Sequence, residues 1–513
     1  MSPWAPPLSP RHGAGGAAAG SEEYFLAGRS LRWPIIGLSF YVSNMSGSTF
    51  VGLPGSGYHD GIAVFHYEWL PALILIFFIW FLLPLYLKAR VYTAPEFLER
   101  RFDRRARLAF SGFLLLANVF VDAAAALYAG AAVAQVLIPG FPLWGTVTIT
   151  AVLATAYIFF GGLGAVVIND TVQAALILIG GSVIAVLTWL RVPSWDAVRE
   201  AAPERALHLI QPASDPVLPW PGVFTGILLI GIYFWCTNQF VIQRALGARD
   251  LDQGRWGALF AGVLKLPNLF ILILPGVMAT SLYPDLERPD FVFPALAFDV
   301  LPIGVRGLIL AALAAAILSS LEAILNSAST LFTVDFVKTL RPRTRDRTLV
   351  WIGRWATVVL MTVAVLWTPV ILSFPTLWQY LQSILAYVTP PIVAVFLAGI
   401  FWPRANAFGA VATIVVGVPL GAIAWSAVEI LGLVSLQFLY ASGLVFVLSL
   451  GVLAASALWA EAPDPEKVAA HTWRPRSWHE ETERLRGEPW YRNHRVLSGG
   501  LAALALALVA WWW

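Results

Sequence analysis

Several stretches of this chain run longer than the roughly 20 apolar residues that cross a hydrocarbon core, and no water-facing fold can house them. Inside a bilayer each backbone amide must find its partner within its own segment, so unbroken runs of this kind form helices rather than barrel strands. Composition agrees. The sequence is 58% hydrophobic and 12% charged, about half the charged share of roughly 25% found in soluble domains. The 513 residues therefore read as an all-α polytopic membrane bundle.

Apolar runs place helices near 33 to 53, 62 to 87, 106 to 137, 142 to 160, 165 to 190, 218 to 240, 256 to 283 and 304 to 333. Five more follow near 349 to 371, 376 to 401, 406 to 432, 434 to 459 and 496 to 513, giving about thirteen spans. The net charge of +3, from 33 basic and 30 acidic side chains, is set by short connections, which topology explains better than nucleic acid does. With a cytoplasmic N-terminus, Lys88, Arg90, Arg100, Arg101, Arg104, Arg105 and Arg107 fall inside, as the positive-inside rule requires. Arg244, Arg249 and Arg255 join them, as do Lys338, Arg341, Arg343, Arg345 and Arg347, whereas loops 191–217 and 284–303 are mixed or acidic and lie outside. The first thirty residues lack an apolar h-region and do not read as a signal peptide.

The charged stretch 460–495 reads as a cytoplasmic connection to a last span ending in Trp511, Trp512 and Trp513, which suit an interfacial belt. Its His479-Glu480-Glu481-Thr482-Glu483 lacks the second histidine of a zinc protease motif, and neither a P-loop nor a nucleophile elbow occurs. Nothing in the sequence argues for an enzyme or a cofactor. The single cysteine, Cys236, allows no intrachain disulfide.

Two spans break the apolar rule at mid-length. The first carries Ser43, Asn44, Ser46, Gly47, Ser48 and Thr49 where a lipid-facing helix would place Leu and Val, and the sixth repeats the feature with Cys236, Thr237, Asn238 and Gln239. Paired interruptions in corresponding halves point to unwound helices around a midplane binding site. Small polar residues that merely let helices pack closely are the alternative. On the eighth span Ala316, Ser319 and Ser320 share one helix face. Two hydroxyls there, beside carbonyls released by an unwound first span, would offer a hard cation such as sodium a cage of neutral oxygens.

Ionisable residues within spans are expensive and are functional candidates: here Glu68, Asp122, Asp170, Lys265 and Glu322. Glu68, Lys265, Gln382 and Asn44 would complement a polyol if they converge, with Phe234 and Trp235 covering its ring. Alternatively Glu68 and Lys265 snorkel, or pair with each other as a structural bridge.

These residues sit in a series of motifs that resembles the sodium:solute symporter family, and within it the sodium/glucose cotransporter branch, over nearly the whole chain. The motifs run from Glu23-Tyr24-Phe25-Leu26-Ala27-Gly28-Arg29-Ser30-Leu31 through the Ser43-Asn44 break, Gly55-Ser56-Gly57 and Tyr67-Glu68-Trp69. They continue with Gly161-Gly162-Leu163-Gly164-Ala165-Val166, Asp170 and Gln173, then Gln243-Arg244, Lys265, Ser319-Ser320-Leu321, Asn326-Ser327, Tyr380-Leu381-Gln382-Ser383 and Pro390-Pro391.

The resemblance implies a LeuT-like core of two inverted five-helix repeats, at 31–190 and 218–403, separated by the external loop 191–217. A cytoplasmic stub at 1–30, peripheral helices at 404–459, the connection 460–495 and the last transmembrane helix 496–513 complete the chain. Family members usually carry a helix before the first core span; here a stub precedes Ser21, and a truncated start or a real loss would read alike.

The resemblance further implies secondary active symport by alternating access. Sodium would be held by backbone oxygens of Val42, Met45 and Ala316 and the hydroxyls of Ser319 and Ser320, with Asp170 on the inner ion pathway. A sugar would contact Asn44, Thr49, Glu68, Lys265 and Gln382, with an aromatic gate at Phe234 beside Trp235. Thr49, Gly231 and Phe234 depart from the usual sugar-branch residues, and Asp122 and Glu322 are acids where relatives are neutral, which leaves a second cation or a proton open at Glu322. Another solute, such as an inositol, an amino acid or a carboxylate, and a transport-derived sensor or channel remain the alternatives.

Overall fold

The computed structural model describes residues 29–138, 140–160, 166–202 and 204–513. Helical runs, whole or broken, occupy each of the thirteen expected places, and the described residues contain no strand beyond two isolated bridges. Leu190, Ile303, Leu458 and Trp459 are among many large apolar side chains left exposed, which in water would be prohibitive and in lipid is the natural outer surface. The tenth span is the most enclosed, with the seventh and the run Gly47–Lys88 next, and the eleventh to thirteenth lie toward the periphery.

Helix starts are placed by local chemistry. Thr93, Asp103, Asp250, Thr376 and Asn406 each accept the backbone N–H three residues on, satisfying donors that the first turn leaves without intrahelical partners. The first span is interrupted between Trp33–Asn44 and Gly47–Asp60: Met45 (φ −92°, ψ 66°) and Ser46 (φ −81°, ψ 171°) leave the helical region. The sixth is interrupted at Asn238 (φ −69°, ψ 124°), where Val223–Thr237 and Gln239–Leu246 meet at 48°. Both expected breaks are therefore present, and the long side chain of Tyr86 caps the second by donating to the Cys236 carbonyl at 3.0 Å.

Three features go beyond the sequence reading. The tenth span is also bent, by 51° between Leu377–Val388 and Pro390–Phe401, because Pro390 has no N–H to continue the ladder. Loop 284–303 folds into the short helices Pro289–Phe291 and Val292–Asp299. The connection 460–493 docks on the bundle rather than hanging free. There Trp473 donates its N–H to the Ile400 carbonyl at 2.9 Å, Arg484 pairs with Asp252, and the buried Arg255 pairs with Glu481. This end carries the basic loops and is called the basic face below.

Two close approaches hold the first span. Gly47 lies where any Cβ would stand 2.2 Å from the Ile317 side chain, so the break rests directly on the eighth span. Gly276 is pressed against Pro54, whose carbonyl oxygen would be 2.1 Å from an added Cβ. On the basic face, Leu31 exchanges two backbone hydrogen bonds with the end of the sixth span, Leu31 N–H to Gly247 O at 3.1 Å and Arg249 N–H to Leu31 O at 3.0 Å.

Candidate functional site

Breaking a helix in mid-membrane frees polar backbone groups that must be satisfied by protein, water or a ligand. Around the first break the side chains take part of that load: Thr49 Oγ1 donates to Asn44 O at 2.6 Å and Ser43 Oγ to Ser39 O at 2.7 Å. Here a cavity of about 470 Å³ opens, within the range of small-molecule sites. Val42, Asn44 and Thr49 line it from the first span, Phe234 and Trp235 from the sixth, Ser319, Ser320 and Glu322 from the eighth, Gln382 from the tenth and Asp122 from the third.

Toward the face opposite the basic one, the cavity ends at Tyr67 and Trp378, whose rings meet edge-to-face with centroids 5.7 Å apart. Behind that lid the packing is tight. Ser56 and Thr376 hydroxyls are 2.9 Å apart, and the fully buried Asp290 accepts from Tyr128 Oη at 2.9 Å and from the Leu377 N–H at 2.9 Å. Arg288 donates to Tyr128 Oη at 2.9 Å and to Phe374 O at 3.0 Å. Burial pushes the Asp290 carboxyl up to about 6. In the other direction the lining continues to Phe240, Arg244 and Asn326, so the cavity extends from the breaks toward the basic face.

Glu68 and Lys265 are not in the cavity wall. They form an ion pair at 2.5 Å with side chains 1% and 0% exposed. A surrounding network holds them: Tyr41 Oη donates to Asn268 Oδ1 at 2.8 Å, Asn268 Nδ2 donates to Glu68 Oε2 at 2.5 Å, and Lys265 Nζ donates to Asn44 Oδ1. The ammonium also sits 5.6 Å from the Trp235 ring centroid. Of the bridge and ligand readings open in the sequence, the geometry realises the bridge, and the pair reaches the cavity through Asn44 and Trp235. Among the described residues, Glu68 Oε1 and Gln382 Oε1 are buried without a hydrogen-bond partner.

Among the expected cation residues, Ser319 and Ser320 face the cavity and Ser320 Oγ donates to the Ala316 carbonyl at 2.8 Å. The carbonyl of Val42 accepts the Met45 N–H at 2.8 Å, and Met45 and Ala316 are buried beside them. All five therefore sit at or next to the break that Gly47 packs onto the eighth span. Asp170 is on the helix Val166–Arg191, and its side chain lies outside the described residues. The motif stretches Glu23–Gly28 and 161–165 lie outside them as well. Reading the sequence missed Tyr67 and Trp378 as a lid, although an aromatic beside Glu68 and one before Gln382 were there to be weighed.

The family model for the sodium:solute symporter family matches residues 24–417. This chain belongs to that family. It is 32% identical to a sodium/glucose cotransporter 4 of Danio rerio, over 91% of this chain and 78% of that one. It is 34% identical to a sodium/glucose cotransporter of Vibrio parahaemolyticus, over 79% of each, and 35% identical to a sodium/myo-inositol cotransporter 2 of Oryctolagus cuniculus, over 78% of this chain and 65% of that one. The chain thus spans between 65% and 79% of these relatives' length.

Among solved structures, the fold is similar to a Na+-coupled sialic acid symporter in a substrate-bound outward-open state, with a TM-score of 0.69 and 22% identity over 86% of this chain and 93% of that one. It is also similar to a nucleobase-cation-symport-1 family transporter, with a TM-score of 0.52 and 14% identity over 87% of this chain and 97% of that one. The architecture is the LeuT-like one of inverted repeats expected from the sequence, in a multi-pass membrane transporter family.

Proposed function

We propose that this chain couples sodium to the symport of a small neutral polyol, a monosaccharide of the glucose or galactose type, by alternating access. One observation carries the reading: the broken first and sixth spans bring Asn44, Thr49, Phe234, Trp235 and Gln382 round a single mid-span cavity, with Ser319 and Ser320 in its wall. Hydroxyls both donate and accept, and this lining offers both kinds of partner beside two aromatic faces.

Sodium is bound by the carbonyls of Val42, Met45 and Ala316 and the hydroxyls of Ser319 and Ser320; Asp170 and Glu322 stand along its exit path. Glu68 and Lys265 act on the solute by fixing Asn44 and Trp235. The basic face is cytoplasmic, the membrane is the cell's inner or plasma membrane, and the cavity extending toward that face makes this the inward-facing member of the cycle. Sodium binding from outside holds the first span open to receive solute, and closure of Tyr67 on Trp378 precedes inward release. One sodium descending 100 mV yields about 2.3 kcal/mol, and a tenfold gradient adds about 1.4, enough for accumulation of several hundred-fold.

A myo-inositol reading has a specific support, the 35% identity to an inositol cotransporter. Both are tested by uptake of D-glucose, D-galactose and myo-inositol into proteoliposomes with and without a sodium gradient. Ser320→Ala is expected to abolish sodium dependence, and Gln382→Ala to raise the apparent KM for the preferred polyol about tenfold. Uptake unchanged in both variants sinks the site assignment.

A further inference from the structure

The third span presents Ala117, Val121, Asp122, Ala125 and Ala126 to the cavity, an apolar wall with one carboxylate in it. Asp122 belongs to the π-helical turn Asn118–Ala123, where one extra residue per turn rotates the side chains out of the regular stripe. It makes no hydrogen bond and no ion pair to any described residue. Two tyrosines, Tyr233 and Tyr380, feel its charge, and the second has its hydroxyl engaged elsewhere: Tyr380 Oη donates to Phe120 O at 2.5 Å and accepts from Trp367 Nε1 at 2.8 Å. The other cavity carboxylate, Glu322, does have interactions, and Arg244 donates to Ser39 and to the Phe240 carbonyl. Lys265 lies behind the wall and is neutralised by Glu68.

An intramembrane carboxylate without a protein partner is costly when ionised, and either a proton or what enters the cavity satisfies it. An ionised carboxylate only accepts hydrogen bonds. With Asp122 and Glu322 set against Arg244, the described lining carries more negative than positive side chains. We infer that Asp122 is a specificity-determining residue of this cavity, accepting hydrogen bonds from hydroxyl or ammonium groups of a polyol solute and turning away anionic ones. This rests on the symport reading above and adds a residue and a charge rule to it.

The test is initial-rate uptake of D-glucose, D-glucosamine and D-glucuronate into proteoliposomes under an inward sodium gradient, with wild type, Asp122→Asn and Asp122→Glu, each first shown monodisperse in detergent. Wild type is expected to handle glucuronate at least tenfold less efficiently than glucose. Loss of a hydrogen bond to a charged acceptor is worth about one to two decades, so Asp122→Asn should lower kcat/KM for glucosamine relative to glucose by about tenfold or more and narrow the gap to glucuronate. Asp122→Glu should restore the wild-type order. Ratios in Asp122→Asn equal to wild type, with uptake intact, overturn the assignment and leave the symport reading standing. The same ratios accompanied by a lost pH dependence of uptake assign Asp122 to a proton instead, which also overturns it. Absence of sodium-dependent uptake of every polyol by wild type takes down both readings together.

Discussion

Removing Lys265 should damage this protein far more than its distance from the cavity suggests, and removing Glu68 along with it should repair most of the harm. The two charges are 2.5 Å apart and essentially inaccessible to water. At an effective dielectric near 20 their attraction is about 7 kcal/mol, most of it offset by the desolvation of both ions. Lys265→Met leaves Glu68 with a single amide donor from Asn268 and an oxygen, Oε1, that has none. Such an uncompensated buried charge costs about 3–5 kcal/mol. The double variant Glu68→Gln, Lys265→Met holds no charge and should recover to within about 1–2 kcal/mol of wild type. Reversible unfolding in mixed micelles, arranged as a double-mutant cycle, measures this directly. The double variant should still transport poorly, because Asn44 has lost the ammonium that fixes its amide. A coupling energy near zero, or a Lys265→Met protein as stable as wild type, refutes the bridge.

Gly276→Ala should destabilise by about 2 kcal/mol or more, since the new methyl meets the backbone oxygen of Pro54, which cannot yield as a side chain can; Gly500→Ala, with open space around it, should be neutral in the same melting assay. Asp290 binds a proton in the folded state up to about pH 6, against an unfolded value near 3.8. Its stabilising contribution is therefore complete below pH 4 and is lost as pH rises to 6, by about 3 kcal/mol at most. Asp290→Asn should flatten that part of the melting profile, and an unchanged slope would remove Asp290 as its source.

The broken first and sixth spans were legible because Ser43–Thr49 and Cys236–Gln239 are polar interruptions of runs that lipid would otherwise keep apolar. The third interruption, at Pro390, was readable in principle, since adjacent prolines within an apolar run cannot continue a helix, yet the span's hydropathy masked it. Glu68 and Lys265 were recognisable as costly residues. That each is the other's answer was not, because the seventh span meets the second only once the bundle is assembled, and no local pattern encodes that meeting. The Asp290 latch was invisible for the same reason: its partners, Tyr128 and Leu377, come from the third and tenth spans. Asp122 was flagged by its charge, but its aim into the cavity depends on a π turn that no periodicity announces.

The pair of main-chain bonds between Leu31 and the Gly247–Arg249 turn fastens the inner halves of the two broken helices at their far ends. Fastened so, those halves travel as one lever: they cannot shear past each other, and whatever swings during a transport cycle must pivot at Met45–Ser46 and Asn238. On the site proposed above, solute and cation would sit at the fulcrum, where a small push from either is felt by the whole arm.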